Sequence, residues 1–164
     1  MIDGPSQFDF YSGGGLDVAF LGFGEIDAAG NVNVSKLGGN TVGPGGFIDI
    51  AQNARKVVFC GTFDTGSTRL ETGDGTLRVT SHGRIRKLVE KVDQITFSGP
   101  QASVQGQLVI YVTERAVFEL REDGVHLVEI APGIDLQADV LDRMGFTPRM
   151  ESPLSEMSSG LFKE

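Results

Sequence analysis

Gly43 to Phe63 read GPGGFIDIAQNARKVVFCGTF, and within this stretch the pair Gly45-Gly46 is placed to meet a ligand. Glycine has no Cβ, so another group can approach its backbone closely. After Gly46, the residues Phe47, Ile50, Ala51 and Ala54 fall at helical spacing and predict a short amphipathic helix over 47–54. Arg55 and Lys56 follow, where cations suit the negative end of a helix dipole. Val57-Val58-Phe59-Cys60 then reads as a buried strand of parallel type, closed by Gly61. A glycine turn feeding a helix N-terminus offers backbone N–H groups to a negative or polarised oxygen, such as an oxyanion or a thioester carbonyl. The competing reading is that Gly45 and Gly46 only close a tight turn.

Asn31, Asn33 and Ser35 alternate in NVNVS, so as a strand they share one face. With Lys36, Phe47 and Gln52 they can line a ligand cleft, Lys36 reaching a phosphate or a carboxylate. The competing reading gives the asparagines to turn backbone and leaves Lys36 and Gln52 in solvent. Glu25 follows the apolar run Phe20 to Phe23, where α/β proteins place catalytic groups, yet it also reads as a plain turn carboxylate. Glu114 and Arg115 are adjacent, so on a strand they point to opposite faces, and pairing with neighbours is their expected use. Gly13-Gly14-Gly15 precede a strand without the G-x-G-x-x-G pattern, so a dinucleotide site is not supported. The single cysteine, Cys60, excludes an internal disulfide and is expected to be a buried small hydrophobe. His82 and His126 lie far apart with no further ligands beside them, so no metal site is expected.

A length of 164 residues suits one domain with a sizeable core. The net charge of −8 argues against binding nucleic-acid phosphates or an anionic membrane surface. No apolar run reaches membrane-spanning length and no leader pattern is visible, which predicts a soluble cytoplasmic protein. Residues 1–15 read as a loop or linker, 16–145 as the domain proper, and 146–164 as a tail that wraps or frays. Leu16 to Phe23 is apolar nearly throughout, as in a strand covered on both faces. A turn at 27–31, with Gly30 and Asn31 able to take positive φ, leads into a short strand at Asn31 to Val34. A hairpin over 69–80 turns at Thr72-Gly73-Asp74-Gly75. Further strands are expected within 88–97 and at 108–113, 116–120 and 125–130. Asp135 caps a last helix over 136–144, with Gly145 as its stop. The pattern is α/β and strand-rich.

Seven pieces of the chain point further: FDFYSGGGLDVAFLG, the D-x-x-GNVNVS turn, GPGGFIDIAQNA, KVVFCGTF, QITFSGP, TERAVFEL and APGIDLQADVL. Together, in this order, the chain resembles the C-terminal half of family I coenzyme A-transferases, the acetate/acetoacetate and related acyl-CoA:carboxylate enzymes. The resemblance covers almost the whole sequence. It implies an α/β fold with an open mixed sheet flanked by helices. It implies covalent catalysis by a glutamate, with coenzyme A as substrate and no resident cofactor. The family places a glycine-rich GGF-type turn at its active site, which favours the ligand-contact reading of Gly45 and Gly46. The family's nucleophile lies upstream of the FDFYSGGGLD-like segment, so the resemblance assigns no catalytic residue to this chain. The implied partners are an upstream half bearing that glutamate, an acyl-CoA and a carboxylate, in an oligomer. A non-catalytic assembly module, or a sugar-phosphate isomerase-like relative on the same fold, is the alternative.

Overall fold

The strand Lys56–Cys60 runs between two parallel neighbours; its Val57 and Phe59 enter the core, while Val58 lies on the other face in the row between Phe20 and Ile110. The computed structural model describes residues 2–163. Its main sheet has six strands: β1 (Val18–Gly22), β2 (Lys56–Cys60), β3 (Leu108–Val112), β4 (Ala116–Arg121), β5 (Gly124–Ile130) and β6 (Arg149–Glu156). They lie side by side in that order. β1, β2 and β3 are mutually parallel, β4 is antiparallel to β3 and β5 to β4, and β6 returns parallel to β5. The sheet is therefore open and mixed. Three short helices accompany it: α1 (Gly4–Ser12), α2 (Phe47–Asn53) and α3 (Gly99–Val104). Among the described residues no helix is long and apolar enough to cross a membrane.

One face of the sheet carries the core. Val57, Phe59, Val109, Tyr111, Phe118 and Leu127 point into it and are buried. The Phe59 ring stacks on Phe47 of α2 and on Tyr111, with centroids 5.8 and 5.6 Å away, and meets the edge of Phe97 at 5.0 Å. Such pairs add to the area term of burial. On α2 Ala51 is fully buried and Phe47 and Ile50 pack against the same core, as the 3.6-residue spacing predicts, and Ala54, buried too, follows the helix end. Tyr111 donates its hydroxyl to Gly30 O at 2.6 Å, which ties the hairpin Glu25–Ile26/Val32–Asn33 to the sheet. Burial pushes the Tyr111 phenol far above its ordinary range.

The other face is open over β1 to β3. Register sets Phe20, Val58 and Ile110 in one row, and Val18, Lys56 and Leu108 in the next. Phe20 is 71% exposed and Leu108 64%. The expectation that the first strand is covered on both faces is corrected accordingly. Ala19 is buried on one side, while Val18 and Phe20 face outward. Cys60 also projects from the open face and is exposed, against the expected burial.

Other expectations change in the same way. Residues 4–12 form a helix where a loop was predicted. The Asp3 carboxylate caps it by accepting the Ser6 N–H at 3.0 Å, and Pro5 sits in its first turn. No residue of α1 is buried, so its sequence carried no amphipathic signal. Met1 lies outside the described residues. Leu88 to Phe97 forms no strand. Leu88, Val92 and Phe97 are buried, but their backbone makes only isolated bridges to Ile26 and Val32. Residues 136–143 form a π-helical turn followed by a 3-10 turn, with Asp135 capping the start through Ala138 N–H at 2.8 Å. The expected tail supplies β6, and its Met157 and Phe162 pack on Leu77 and Ala131; Glu164 lies outside the described residues. The hairpin Arg69–Gly73/Thr76–Ser81 forms as expected, with Asp74 and Gly75 at φ +53° and +78°. At the earlier turn Gly30 takes φ +78° and Asn31 stays at negative φ.

Candidate functional site

In an open α/β sheet, ligands gather beyond the carboxyl ends of the parallel strands. Here those ends lead into Phe23-Gly24-Glu25, Gly61-Thr62-Phe63-Asp64 and Thr113-Glu114-Arg115. Arg115 is fully buried and organises the edge. Its Nη2 lies 3.0 Å from Asp64 Oδ1 and its Nε 3.1 Å from Glu114 Oε1. Its Nη1 lies 3.3 Å from His82 Nδ1 and donates to Asp139 O at 3.2 Å. The Phe63 ring covers the guanidinium at 4.8 Å. Glu114 Oε2 accepts the Phe63 N–H at 2.8 Å, so both of its oxygens are occupied. Glu114 and Arg115 do not point to opposite faces. They sit in the β3–β4 turn, where the backbone lets adjacent side chains meet. Their structural pairing stands.

Beside this knot a cavity of about 330 Å³ opens, bordered by Gly24, Glu25, Leu37, Thr62, Ile85, Arg86 and Lys87. Lys87 is half-buried, with its Nζ 3.9 Å above the centroid of the Phe23 ring. Desolvation holds its ammonium below the ordinary lysine range, and the Glu114 charge opposes that shift in part. Gly61 makes the packing feasible: a Cβ there would lie 2.8 Å from the Phe23 ring and 2.9 Å from Lys87 Nζ. Glu25 Oε2 accepts from Asn33 Nδ2 at 2.7 Å and from the Asp93 N–H at 3.0 Å.

The glycine turn precedes α2. Gly45 is exposed at φ +54°, a conformation that favours glycine, and Gly46 is the residue before the helix. The Phe47 N–H closes the turn onto Pro44 O at 3.1 Å. Among the described residues nothing accepts the N–H of Gly45 or Gly46. The Phe8 ring of α1 lies against Gly46, close enough that an added Cβ would meet it at 2.7 Å.

The expected cleft lining divides differently. Asn31, Asn33 and Ser35 are buried and committed to the loops around them. Asn31 donates to Asp27 and accepts the Gly99 N–H; Asn33 accepts from Ser35 and Lys36 N–H; Ser35 bonds Thr96. They satisfy turn backbone, the competing reading, because each faces inward. Phe47 is half-buried and packs against Phe59 of the core. Lys36 pairs with Asp93 at 3.0 Å near the surface. Gln52 accepts the Ser98 N–H at 3.1 Å and borders a hollow of about 500 Å³ at the opposite, amino-terminal end of β2 and β3. Sequence reading missed Lys87 and the contacts of His82 with Arg115 and Asp139. The signal was a lysine beside a buried leucine, Leu88, with no nearby carboxylate in sequence before Glu90.

No family model matches the chain. The acetate CoA-transferase YdiF of Escherichia coli O157:H7 is 52% identical over 162 residues, 99% of this chain and 30% of that protein. The caffeate CoA-transferase of Acetobacterium woodii is 52% identical over 168 residues, 99% of this chain and 32% of that protein. The chain thus spans less than a third of the length of these curated relatives. The crystal structure of the YdiF apoenzyme superposes with a TM-score of 0.96 over 99% of this chain and 32% of that one. The same protein has been solved as a thioester complex with CoA. The decarboxylase AibA/AibB, at 24% identity and TM-score 0.70, covers 96% of this chain and 57% of that one and shares the fold alone.

Proposed function

Because the chain belongs to the family I coenzyme A-transferases, as a stretch matching 30% of a curated relative, we propose that it is the C-terminal portion of an acyl-CoA:carboxylate CoA-transferase. The observation that carries this is 52% identity along 99% of the chain, on the same backbone course at TM-score 0.96.

In the proposed reaction, a glutamate from a complementing half attacks the acyl-CoA thioester carbonyl and expels CoA thiolate, leaving an acyl-glutamyl anhydride. The thiolate then attacks the glutamyl carbonyl, releases the acyl group as a carboxylate and leaves a glutamyl-CoA thioester. An acceptor carboxylate runs the two steps in reverse. This chain contributes the wall of the site. The free N–H groups of Gly45 and Gly46 face the oxyanion that develops at each attack. Assigning the nucleophile to another segment fits the carboxylates at the sheet edge. Glu114 and Asp64 are tied to Arg115, and Glu25 Oε2 already accepts two bonds.

The complementing half covers the open face of β1 to β3, where Val18, Phe20 and Leu108 are exposed. The assembled enzyme is an oligomer working in the cytoplasm on monocarboxylic acids, short-chain ones among them. The test is reconstitution: light scattering of the chain with and without the upstream half, then transfer from acetyl-CoA to a short carboxylate. A defined complex that gains transfer activity supports the reading. A monomer indifferent to the upstream half, with no activity gained, contradicts it.

A further inference from the structure

We infer that the cavity at the carboxyl ends of β1 and β2 binds a monocarboxylic acid with an apolar body, its carboxylate meeting the Lys87 ammonium. This rests on the transferase reading for its place in a reaction, but the binding claim stands on Lys87 itself. Among the described residues no oxygen accepts a hydrogen bond from Lys87 Nζ; the face of Phe23 lies against it at 3.9 Å and Gly61 packs beside it. The desolvated side of this half-buried ammonium meets an aromatic face and glycine, with no protein acceptor to offset its desolvation. A ligand carboxylate supplies them as charge-assisted hydrogen bonds. The nearest protein carboxylates are engaged elsewhere. Glu114 has both oxygens bonded to Phe63 and Arg115, and Glu25 Oε2 holds Asn33 and Asp93.

The charges bordering the cavity suit a single negative charge. Arg86 and Lys87 are cationic and Glu25 anionic, and the Arg86 guanidinium also donates to Asp142 O at 3.3 Å. The rest of the wall is Leu37, Ile85, the two threonines Thr62 and Thr65, and glycine backbone. At about 330 Å³, and ~30 Å³ for each water it would otherwise hold, the space admits an acid of roughly ten non-hydrogen atoms. Acetate, with four, leaves most of the apolar wall uncovered. The inference is therefore that arylalkyl or medium-chain acids bind better than acetate.

The residues that border the cavity here, Lys87 among them, belong to this chain, so binding is followed on the chain itself. Its lysines are labelled by reductive ¹³C-methylation and titrated with cinnamate, cinnamamide and acetate, followed by NMR. Cinnamate is expected to shift the Lys87 signal saturably and to raise its titration midpoint, while the Lys56 and Lys163 signals stay put. Acetate is expected to bind at least tenfold more weakly, and Lys87→Gln to weaken cinnamate binding at least tenfold. A Lys87 signal that ignores cinnamate overturns the inference. So does equal binding of cinnamamide, which lacks the charge, or equal binding of acetate. The readout involves no CoA transfer, so its failure leaves the transferase reading standing, and the reverse holds too.

Discussion

Replacing Arg115 by methionine keeps most of the side-chain volume and removes the charge that holds three segments together. The cost can be worked from what stays behind. Asp64 is 2% exposed, its Oδ1 keeps only the Thr68 hydroxyl at 2.6 Å, and its Oδ2 has no hydrogen-bond partner. Glu114 keeps the Phe63 N–H and loses its cation. Stranding a buried carboxylate by deleting its partner costs about 3–5 kcal/mol. That is a large share of a typical stability of about 5–15 kcal/mol. At about 2–4 °C per kcal/mol for a domain of this size, Tm should fall by roughly 6–20 °C. Urea unfolding followed by circular dichroism measures the loss. The double variant Arg115→Met, Asp64→Leu should recover a good part of it, because the stranded charge is gone. A loss below about 1 kcal/mol in Arg115→Met, or strict additivity in the double variant, would refute the view of Arg115 as the clamp of this edge.

Lys87→Met should raise stability at neutral pH, since the folded state holds this ammonium against desolvation. With a folded pKa below the unfolded one, the native state sheds its proton first, so wild-type stability gains on the variant as pH climbs through the window ending near 10.5; parallel thermal melts from pH 7 to 11 that show no convergence would contradict this. The isolated chain should self-associate through the open face of its sheet, and Phe20→Ser and Leu108→Ser should each suppress this, at about 1.5–3 kcal/mol per large side chain no longer buried between copies; light scattering that reports the same mass for wild type and variants counts against the open face as a docking surface. Asp3→Ala should speed amide exchange across residues 4–12 and leave the sheet amides unchanged, because Asp3 caps α1 and nothing else. In the assembled enzyme, Gly46→Val should lower turnover about 100-fold, the scale of losing one oxyanion donor. Phe8 has to swing aside to admit the new side chain, and near-normal turnover would mark Gly46 as a turn residue only.

The parts of the fold that follow a strict period were legible in the sequence. Phe47, Ile50, Ala51 and Ala54 predicted α2 and its inward face, and Val57 to Cys60 predicted the central parallel strand. What misled was apolar content without partners to define its use. Leu88, Val92 and Phe97 are apolar because loops bury them, not because a ladder pairs them. Phe20 and Cys60 sit in runs that read as covered on both faces, yet they front the open side of the sheet. Of the candidate site, the glycine turn was readable from Gly45 and Gly46. The knot around Arg115 was not, since Asp64, His82, Glu114 and Asp139 come from four separate stretches. Alternation read the GNVNVS polar residues as one strand face, but only Val32–Asn33 is strand, and Asn31, Asn33 and Ser35 are each buried in loop contacts that the spacing does not reveal. Identity with transferases along 99% of the chain does not favour the isomerase-like alternative.

The central claim is that this chain builds one wall of a CoA-transferase site whose nucleophile comes from elsewhere. The most direct measurement is to incubate the reassembled enzyme with acetyl-CoA, reduce it with borohydride, and locate the reduced glutamate by peptide mass spectrometry. The account predicts one modified glutamate, in the complementing half, and none in this chain. A reduced glutamate at Glu25 or Glu114 would contradict it.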